Sequence, residues 1–291
     1  LASATMHYGC VISFSFFDNK FMKNLLKSIF ISALPVFALT IFVKTLIQFD
    51  SNLTNIGLLL NALPIIIFFS SLFIKPVART SKTLTSFTVT VIIGTAVTLF
   101  TLNLNAIVIS IALALGWFLY LTWYSKFEKR DQNTIQVGKR LPSLTFENIQ
   151  KQKVNLSEFD SDYKVLLFFR GNWCPLCMAQ IKEKANQYQE LSKRNTDVFL
   201  ISSQPHKFTE SLAKKHNVPF HYLTDKNNEN VRNLNILHEN GLPMGFQVFG
   251  YESDVVMPTV IITNKENEVI FADLTDNYRV RPEPATFLKI I

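Results

Sequence analysis

An almost uninterrupted stretch of apolar and small polar residues runs from position 25 to position 124. An α-helix needs about 20 such residues to cross roughly 30 Å of hydrocarbon, and the stretch holds four segments near that length: 25–47, 56–74, 84–102 and 105–124. Within lipid, helices satisfy all of their own backbone polar groups. The sequence therefore predicts an α-helical membrane bundle of about four spans, with a very tight turn between the last two.

Positive charge is distributed unevenly around these segments. Lys and Arg occur before the first predicted span, between the second and third, and after the fourth, whereas 48–55 and 103–105 contain none. Basic residues favour the cytoplasmic side, so we expect a multi-pass cell-membrane protein whose following domain is cytoplasmic. The periplasmic or extracytoplasmic side is the alternative. Since seven Lys/Arg and only two Asp/Glu lie in residues 1–125, most of the formal +7 charge belongs to this region, and no nucleic-acid partner is predicted.

Composition divides the chain into four parts. Residues 1–21 form an N-terminal extension, 22–125 the transmembrane region, 126–136 a polar linker, and 137–291 a segment of ordinary soluble composition. In that last part, apolar runs such as 165–169 alternate with helical patterns such as 175–194, which is typical of an α/β sheet. The predicted fold is thus a helical membrane bundle followed by an α/β domain.

A Cys-x-x-Cys motif directly follows the apolar run 165–169. Pro175 favours a helix beginning there, so Cys174 and Cys177 should share its first turn. Free N–H groups and the helix dipole lower a thiol pKa at that position, and the thiolate is the reactive form. The spacing predicts thiol redox chemistry, with Cys174 as the more exposed nucleophile and Cys177 as the resolving thiol. The histidines are scattered and the third cysteine, Cys10, is remote, so no metal site or cofactor is predicted.

Three segments carry a family resemblance. Residues 168–177, Phe-Phe-Arg-Gly-Asn-Trp-Cys-Pro-Leu-Cys, resemble the redox turn of the thioredoxin-like superfamily, and Arg-Gly-x-Trp-Cys-Pro-x-Cys is similar to peroxiredoxin-like proteins of the alkyl hydroperoxide reductase/thiol-specific antioxidant group. Residues 257–262 resemble the loop that carries that superfamily's cis-proline, here Pro258, facing the cysteines. Residues 276–284 resemble the ends of those chains. The similarity covers about 137–291 and implies a thioredoxin-like fold.

The chain also departs from the family. Gly171 stands where peroxiredoxins have a threonine, and Met257 falls near their peroxide-binding arginine; Phe168 replaces the buried acid of thioredoxin. Alongside Pro175 and Pro258, three further side chains are therefore candidates for supporting the cysteines. Arg170 and Arg281 can hold an anion or lower a thiol pKa, and Trp173 can pack beside the site.

Two classes of function follow from these features. The first is a membrane-tethered antioxidant oxidoreductase that uses Cys174 and Cys177 for thiol–disulfide exchange or peroxide reduction. Its partners would be protein thiols, disulfides or a hydroperoxide, a thiol reductant such as thioredoxin, and the lipid bilayer. The alternative is a membrane-anchored redox sensor or assembly factor whose disulfide switches partner binding.

Overall fold

The computed structural model describes residues 20–48, 50–127, 130, 133–216 and 218–291. Nearly all of the predicted extension 1–21, with Cys10, lies outside these residues, as do four residues of the predicted linker. The apolar region forms helices α1 (Lys20–Ile47), α2 (Leu53–Ile74), α3 (Thr85–Leu99) and α4 (Leu104–Leu119), and a π-helical turn, Tyr120–Tyr124, extends α4.

Three of these helices are long and apolar enough to cross a membrane: Met22–Ile47, Leu53–Ile74 and Leu104–Tyr124. The helix α3 has 15 residues, which extend only about 22 Å, so the prediction of four spans is supported for three helices. The tight turn is present, because Asn103 caps α4 by accepting a hydrogen bond from the Ala106 N–H at 3.2 Å.

Small residues bring α2 and α3 into close contact. A Cβ on Gly94 would lie 2.8 Å from the backbone nitrogen of Asn61, so only glycine fits there. The Asn61 amide is buried and donates to Ser110 of α4 at 2.8 Å, while Thr95 of α3 donates to its carbonyl oxygen at 3.1 Å. Because unpaired polar groups are costly in an apolar setting, these hydrogen bonds fix three helices relative to one another.

The second half of the chain is built on a seven-stranded sheet. Its strands are β1 (Thr145–Glu147), β2 (Lys153–Asn155), β3 (Tyr163–Phe168), β4 (Thr196–Ser202), β5 (His221–Thr224), β8 (Thr259–Asn264) and β9 (Val269–Asp273), with β6 (Leu237–His238) and β7 (Val255–Val256) in a separate pair. The strand order is β2-β1-β5-β4-β3-β8-β9. The central strands β3, β4 and β5 are parallel, and β8 pairs with β3 in the antiparallel direction. The apolar side chains of β3 are buried, as the run 165–169 predicts.

Five α-helices accompany this sheet in the described part of the chain. The predicted helix 175–194 is interrupted at Gln187, whose φ of −98° and ψ of 2° are not helical. The helices are α5 (Pro175–Asn186), α6 (Tyr188–Ser192), α7 (His206–Lys215), α8 (Glu229–Asn233) and α9 (Pro284–Ile290).

The segment 276–281 joins the two halves of the molecule. Arg279 is fully buried and donates to Thr80, Ser81, Lys82 and Ser125 at 2.9–3.0 Å. The hydroxyl groups of Tyr120 and Tyr278 lie 2.7 Å apart. These contacts hold the sheet domain directly against one end of the helical region, so the domain is docked on the helices.

Candidate active site

The two cysteines lie where β3 leads into α5. We use the name redox turn for residues 168–177. Cys174 is the N-cap residue of α5, with extended backbone angles, and Pro175 occupies the first helical position. Proline suits that position because its missing N–H would have no helical partner. The structure therefore places both thiols at the start of the helix, as the motif predicts.

Both thiols are buried and are not joined in a disulfide. Cys174 retains 3% of its surface and Cys177 none. Cys174 lines a cavity, described below, whereas Cys177 lies one turn deeper. A reactant must therefore reach Cys174 first.

Arg281 supplies the positive charge of the site. Its guanidinium is buried, lies 3.4 Å from the Cys177 sulfur and is held by the Gln180 side chain and the Tyr278 carbonyl. Burial by itself would raise the pKa of Cys177. The hydrogen bond from Cys174, the charge of Arg281 and the Arg170 backbone N–H outweigh that effect and lower the pKa to about 5.

The pKa of Cys174 is shifted in the opposite direction. Burial and the neighbouring Cys177 raise its pKa well above the usual value, against the opposing charges of Arg281 and Arg170. The two sulfurs therefore share one proton at neutral pH, and their titration is a property of the pair. Moving that proton along the hydrogen bond from Cys174 to Cys177 exposes a thiolate at the cavity.

Trp173 and Arg170 form the outer wall of the redox turn. The Arg170 guanidinium lies 4.6 Å from the centre of the Trp173 ring and donates to the Gly241 carbonyl. Within the described part of the chain, Trp173 Nε1 and Arg170 Nε are buried and have no hydrogen-bond partner. Both donors belong to residues that line the same cavity as Cys174.

Gly171 shows why the family threonine is absent. Its φ is +148°, and a Cβ there would lie 2.7 Å from Trp173 Nε1. Side chains rarely adopt that backbone conformation, and the indole already occupies the space. The indole N–H thus stands close to where a side chain at position 171 would begin.

Pro258 differs from the expectation drawn from the resemblance. No cis peptide bond occurs among the described residues, so the predicted cis-proline is trans. Trans is the intrinsically favoured form, and Arg130 binds the Pro258 carbonyl at 3.1 Å in this arrangement. Pro258 is buried just before β8, whose first residue, Thr259, pairs with Phe168. It therefore lies near the redox turn.

A cavity of about 400 Å³ lies between the redox turn, α1 and α2. The sequence offered no sign of it, because its walls come from segments far apart in the chain. Among the described residues, no group of three or more His, Cys, Asp or Glu side chains could hold a metal ion. The cavity is lined by Ile31, Ser32, Pro35, Phe69, Ser70, Leu72, Phe73, Tyr124, Arg170, Trp173, Cys174, Pro175, Leu176, Pro243, Phe246 and Tyr278.

Comparison with known proteins identifies the second half of the chain. Residues 137–272 match the model of the AhpC/TSA family. Peroxiredoxin Bcp of Bacillus subtilis is 24% identical over 92 residues, which cover 32% of this chain and 59% of that protein. A putative peroxiredoxin bcp of Coxiella burnetii is 27% identical over 95 residues, or 33% and 63% of the two chains. Residues 137–272 are therefore a peroxiredoxin-like domain with a thioredoxin-like fold.

The match to these relatives spans about three fifths of their length. Among solved structures, a peroxiredoxin-like protein from Aquifex aeolicus aligns with a TM-score of 0.45 and 15% identity, over 53% of this chain and 85% of that one.

Proposed function

We propose that this peroxiredoxin-like domain, docked on membrane helices, is a thiol peroxidase in which Cys174 attacks a hydroperoxide and Cys177 resolves the product. The observation that carries the proposal is the pair of free thiols beside the buried Arg281, which lies 3.4 Å from the Cys177 sulfur, with Cys174 at the cavity wall. A thiolate is the nucleophile in such chemistry. Cys174 is 3% exposed but lines the cavity, which favours a hydroperoxide whose reacting end can enter that cavity as the oxidising substrate.

The reaction begins when the proton of Cys174 moves to Cys177. The Cys174 thiolate attacks the distal oxygen of ROOH, so that an S–O bond forms and the O–O bond breaks. The leaving RO⁻ takes the proton from Cys177, which gives ROH and leaves a sulfenic acid on Cys174. The Cys177 thiolate then attacks the Cys174 sulfur, the S–S bond forms, and hydroxide leaves and is protonated to water. A thiol reductant such as thioredoxin returns the disulfide to two thiols.

The surrounding residues have distinct roles in this scheme. Arg281 stabilises the thiolate of the pair, and Pro175 starts the helix that positions it. Trp173 Nε1 and Arg170 Nε can donate to the peroxide oxygens, in place of the groups that Gly171 and Met257 do not provide. Pro258 shapes the adjacent end of β8.

Thiol–disulfide exchange is the second candidate. The lack of a threonine at Gly171 and of an arginine at Met257 favours it, since both groups would bind peroxide in the family that the sequence resembles. A redox sensor is also supported by one observation: the segment 276–281 carries Arg281 at the thiols and Arg279 at residues 80–82, between α2 and α3. Disulfide formation removes the negative charge facing Arg281 and would alter the contacts that this segment makes with residues 80–82.

The membrane arrangement forms part of the proposal. We propose that the helical region anchors the chain in the cell membrane as a multi-pass segment, with the redox domain on the cytoplasmic side according to the Lys and Arg pattern. A reporter fused to the C-terminus, active on only one side of the membrane, tests the orientation. Activity only on the extracytoplasmic side would contradict it.

A stopped-flow experiment tests the activity. The full chain in lipid nanodiscs is reduced and mixed with hydrogen peroxide, beside Cys174→Ser and Cys177→Ser. We expect oxidation that is lost in Cys174→Ser, while Cys177→Ser accumulates a sulfenic acid that a dimedone probe traps. Oxidation no faster than that of free cysteine would refute the peroxidase and favour exchange with disulfide substrates.

A further inference from the structure

We propose that the cavity between α1, α2 and the redox turn binds the hydrocarbon chain of a bilayer lipid and presents a hydroperoxide on that chain to Cys174. The proposal rests on the peroxidase function and identifies where its substrate comes from. It also makes the membrane helices part of the active site rather than a mere anchor.

The walls of the cavity come from both halves of the molecule. Ile31, Pro35, Phe69, Leu72 and Phe73 of α1 and α2 form one side. Residues of the redox turn, with Pro243 and Phe246 of a neighbouring loop, form the other. The surface is predominantly apolar, and the volume of about 400 Å³ falls within the roughly 300–1,000 Å³ of small-molecule sites. Such a lining fits a hydrocarbon chain better than a peptide or an ion.

The position of Phe73 shows where a chain would enter. This residue lines the cavity, yet 71% of its surface is exposed. It belongs to the apolar surface of the candidate spans, which includes Val36 and Phe37 of α1, 62% and 38% exposed. A surface of this kind on a membrane helix contacts lipid, since in water it would be a large unpaired apolar patch. The cavity is therefore adjacent to the space that lipid chains occupy.

The depth of the cavity suits an oxidised chain. Phe69 and Phe73 lie in the last two turns of α2, at the end of the bundle where the peroxiredoxin-like domain is docked. A hydroperoxide is poorly accommodated in hydrocarbon without hydrogen bonds, so an oxidised chain tends to bring that group towards the membrane surface. The redox turn lies on the face of the domain that meets this end of the bundle.

Two residues of the cavity wall carry unpartnered hydrogen-bond donors. Trp173 and Arg170 both line the cavity, and Trp173 Nε1 and Arg170 Nε are buried without acceptors in the described structure. A bound hydroperoxide would supply oxygen acceptors to both. The bonds made and broken are those of the proposed peroxidase reaction, and the leaving group is the lipid alcohol, which remains on its chain.

Reconstituted vesicles allow a direct test. The full chain is placed in phosphatidylcholine vesicles, and its oxidation by phosphatidylcholine hydroperoxide is compared with oxidation by hydrogen peroxide. The variant Ser32→Phe fills the cavity from α1, and the adjacent Ala33→Phe is its matched control, because both positions are exposed and Ala33 does not line the cavity. We expect Ser32→Phe to lower the ratio of lipid to hydrogen peroxide rates about tenfold or more, and Ala33→Phe to leave it unchanged. A ratio unaffected by Ser32→Phe would overturn the proposal.

A binding measurement separates this inference from the peroxidase function. Phosphatidylcholine with a diazirine in its acyl chain is photolysed in vesicles that contain the full chain, and labelled peptides are identified by mass spectrometry. We expect labels at 170–176 and 243–246 that Ser32→Phe removes. These labels support the lipid site even if hydrogen peroxide oxidises Cys174 slowly, which would refute only the peroxidase. Labels confined to the outer faces of α3 and α4 would refute the site. If an isoprenoid quinone oxidises the thiols without peroxide and also prevents the labelling at 170–176 and 243–246, the cavity is a quinone site. That result would likewise overturn the proposed lipid site.

Discussion

Replacing Arg281 by methionine should raise the apparent pKa of the cysteine pair. A unit charge 3.4 Å from the Cys177 sulfur is worth roughly 5 kcal/mol at an effective dielectric constant of about 20. The guanidinium charge is delocalised and part of it faces the Gln180 side chain, which accepts a hydrogen bond from it. We therefore expect the substitution to remove about half of that interaction energy. Half corresponds to about two units, which would move the thiolate pKa from about 5 to roughly 7.

The rate of alkylation by iodoacetamide as a function of pH measures this change. The thiolate is the deprotonated form, so the rate for the unaltered chain in nanodiscs should be constant near neutral pH and fall as the pH drops through about 5. For Arg281→Met the fall should begin near pH 7. Arg281→Lys keeps a positive charge and should recover part of the shift. A midpoint that moves by less than about half a unit in Arg281→Met would refute the electrostatic role of Arg281.

Three further perturbations test the surrounding structure. Gly171→Thr restores the family residue but forces a side chain into the Trp173 indole at φ +148°. We expect roughly 2 kcal/mol of destabilisation and slower oxidation of Cys174 by hydrogen peroxide. Faster oxidation would contradict the steric argument. Lys184→Met removes an amine that is 1% exposed and whose pKa is lowered to about 7 by burial. Between about pH 7 and 10 the unfolded chain binds that proton and the folded chain does not, so the stability of the unaltered protein rises with pH in this range. The variant should therefore melt at a higher temperature at neutral pH and should not show this rise. Arg279→Gln breaks a buried set of hydrogen bonds to residues 80–82, between α2 and α3. We expect about 3 kcal/mol less stability and faster proteolysis near residues 126–136. Unchanged cleavage would show that the docking does not depend on Arg279.

The sequence by itself determined the features that depend on short-range chemistry. The apolar run 25–124 predicted helices, and three of the four reach the length of a membrane span. The Cys-Pro-x-Cys order predicted a helix starting at Pro175 with both thiols in its first turn, since proline and the N-cap position act locally. The apolar run 165–169 predicted the buried strand β3, and the resemblance at 168–177 predicted the peroxiredoxin-like domain.

Only the tertiary structure decided which groups surround those thiols. Arg281 lies 104 positions after Cys177 and meets it because the chain turns at Tyr278 and Arg279. Beyond that turn Arg281 contacts Cys177, while Arg279 contacts residues 80–82 between α2 and α3. The indole of Trp173 fills the space beside Gly171, and Pro258 is trans rather than cis. The cavity at Cys174 exists because the domain packs on α1 and α2. Such contacts depend on packing between distant segments, which neither spacing nor hydrophobic periodicity specifies.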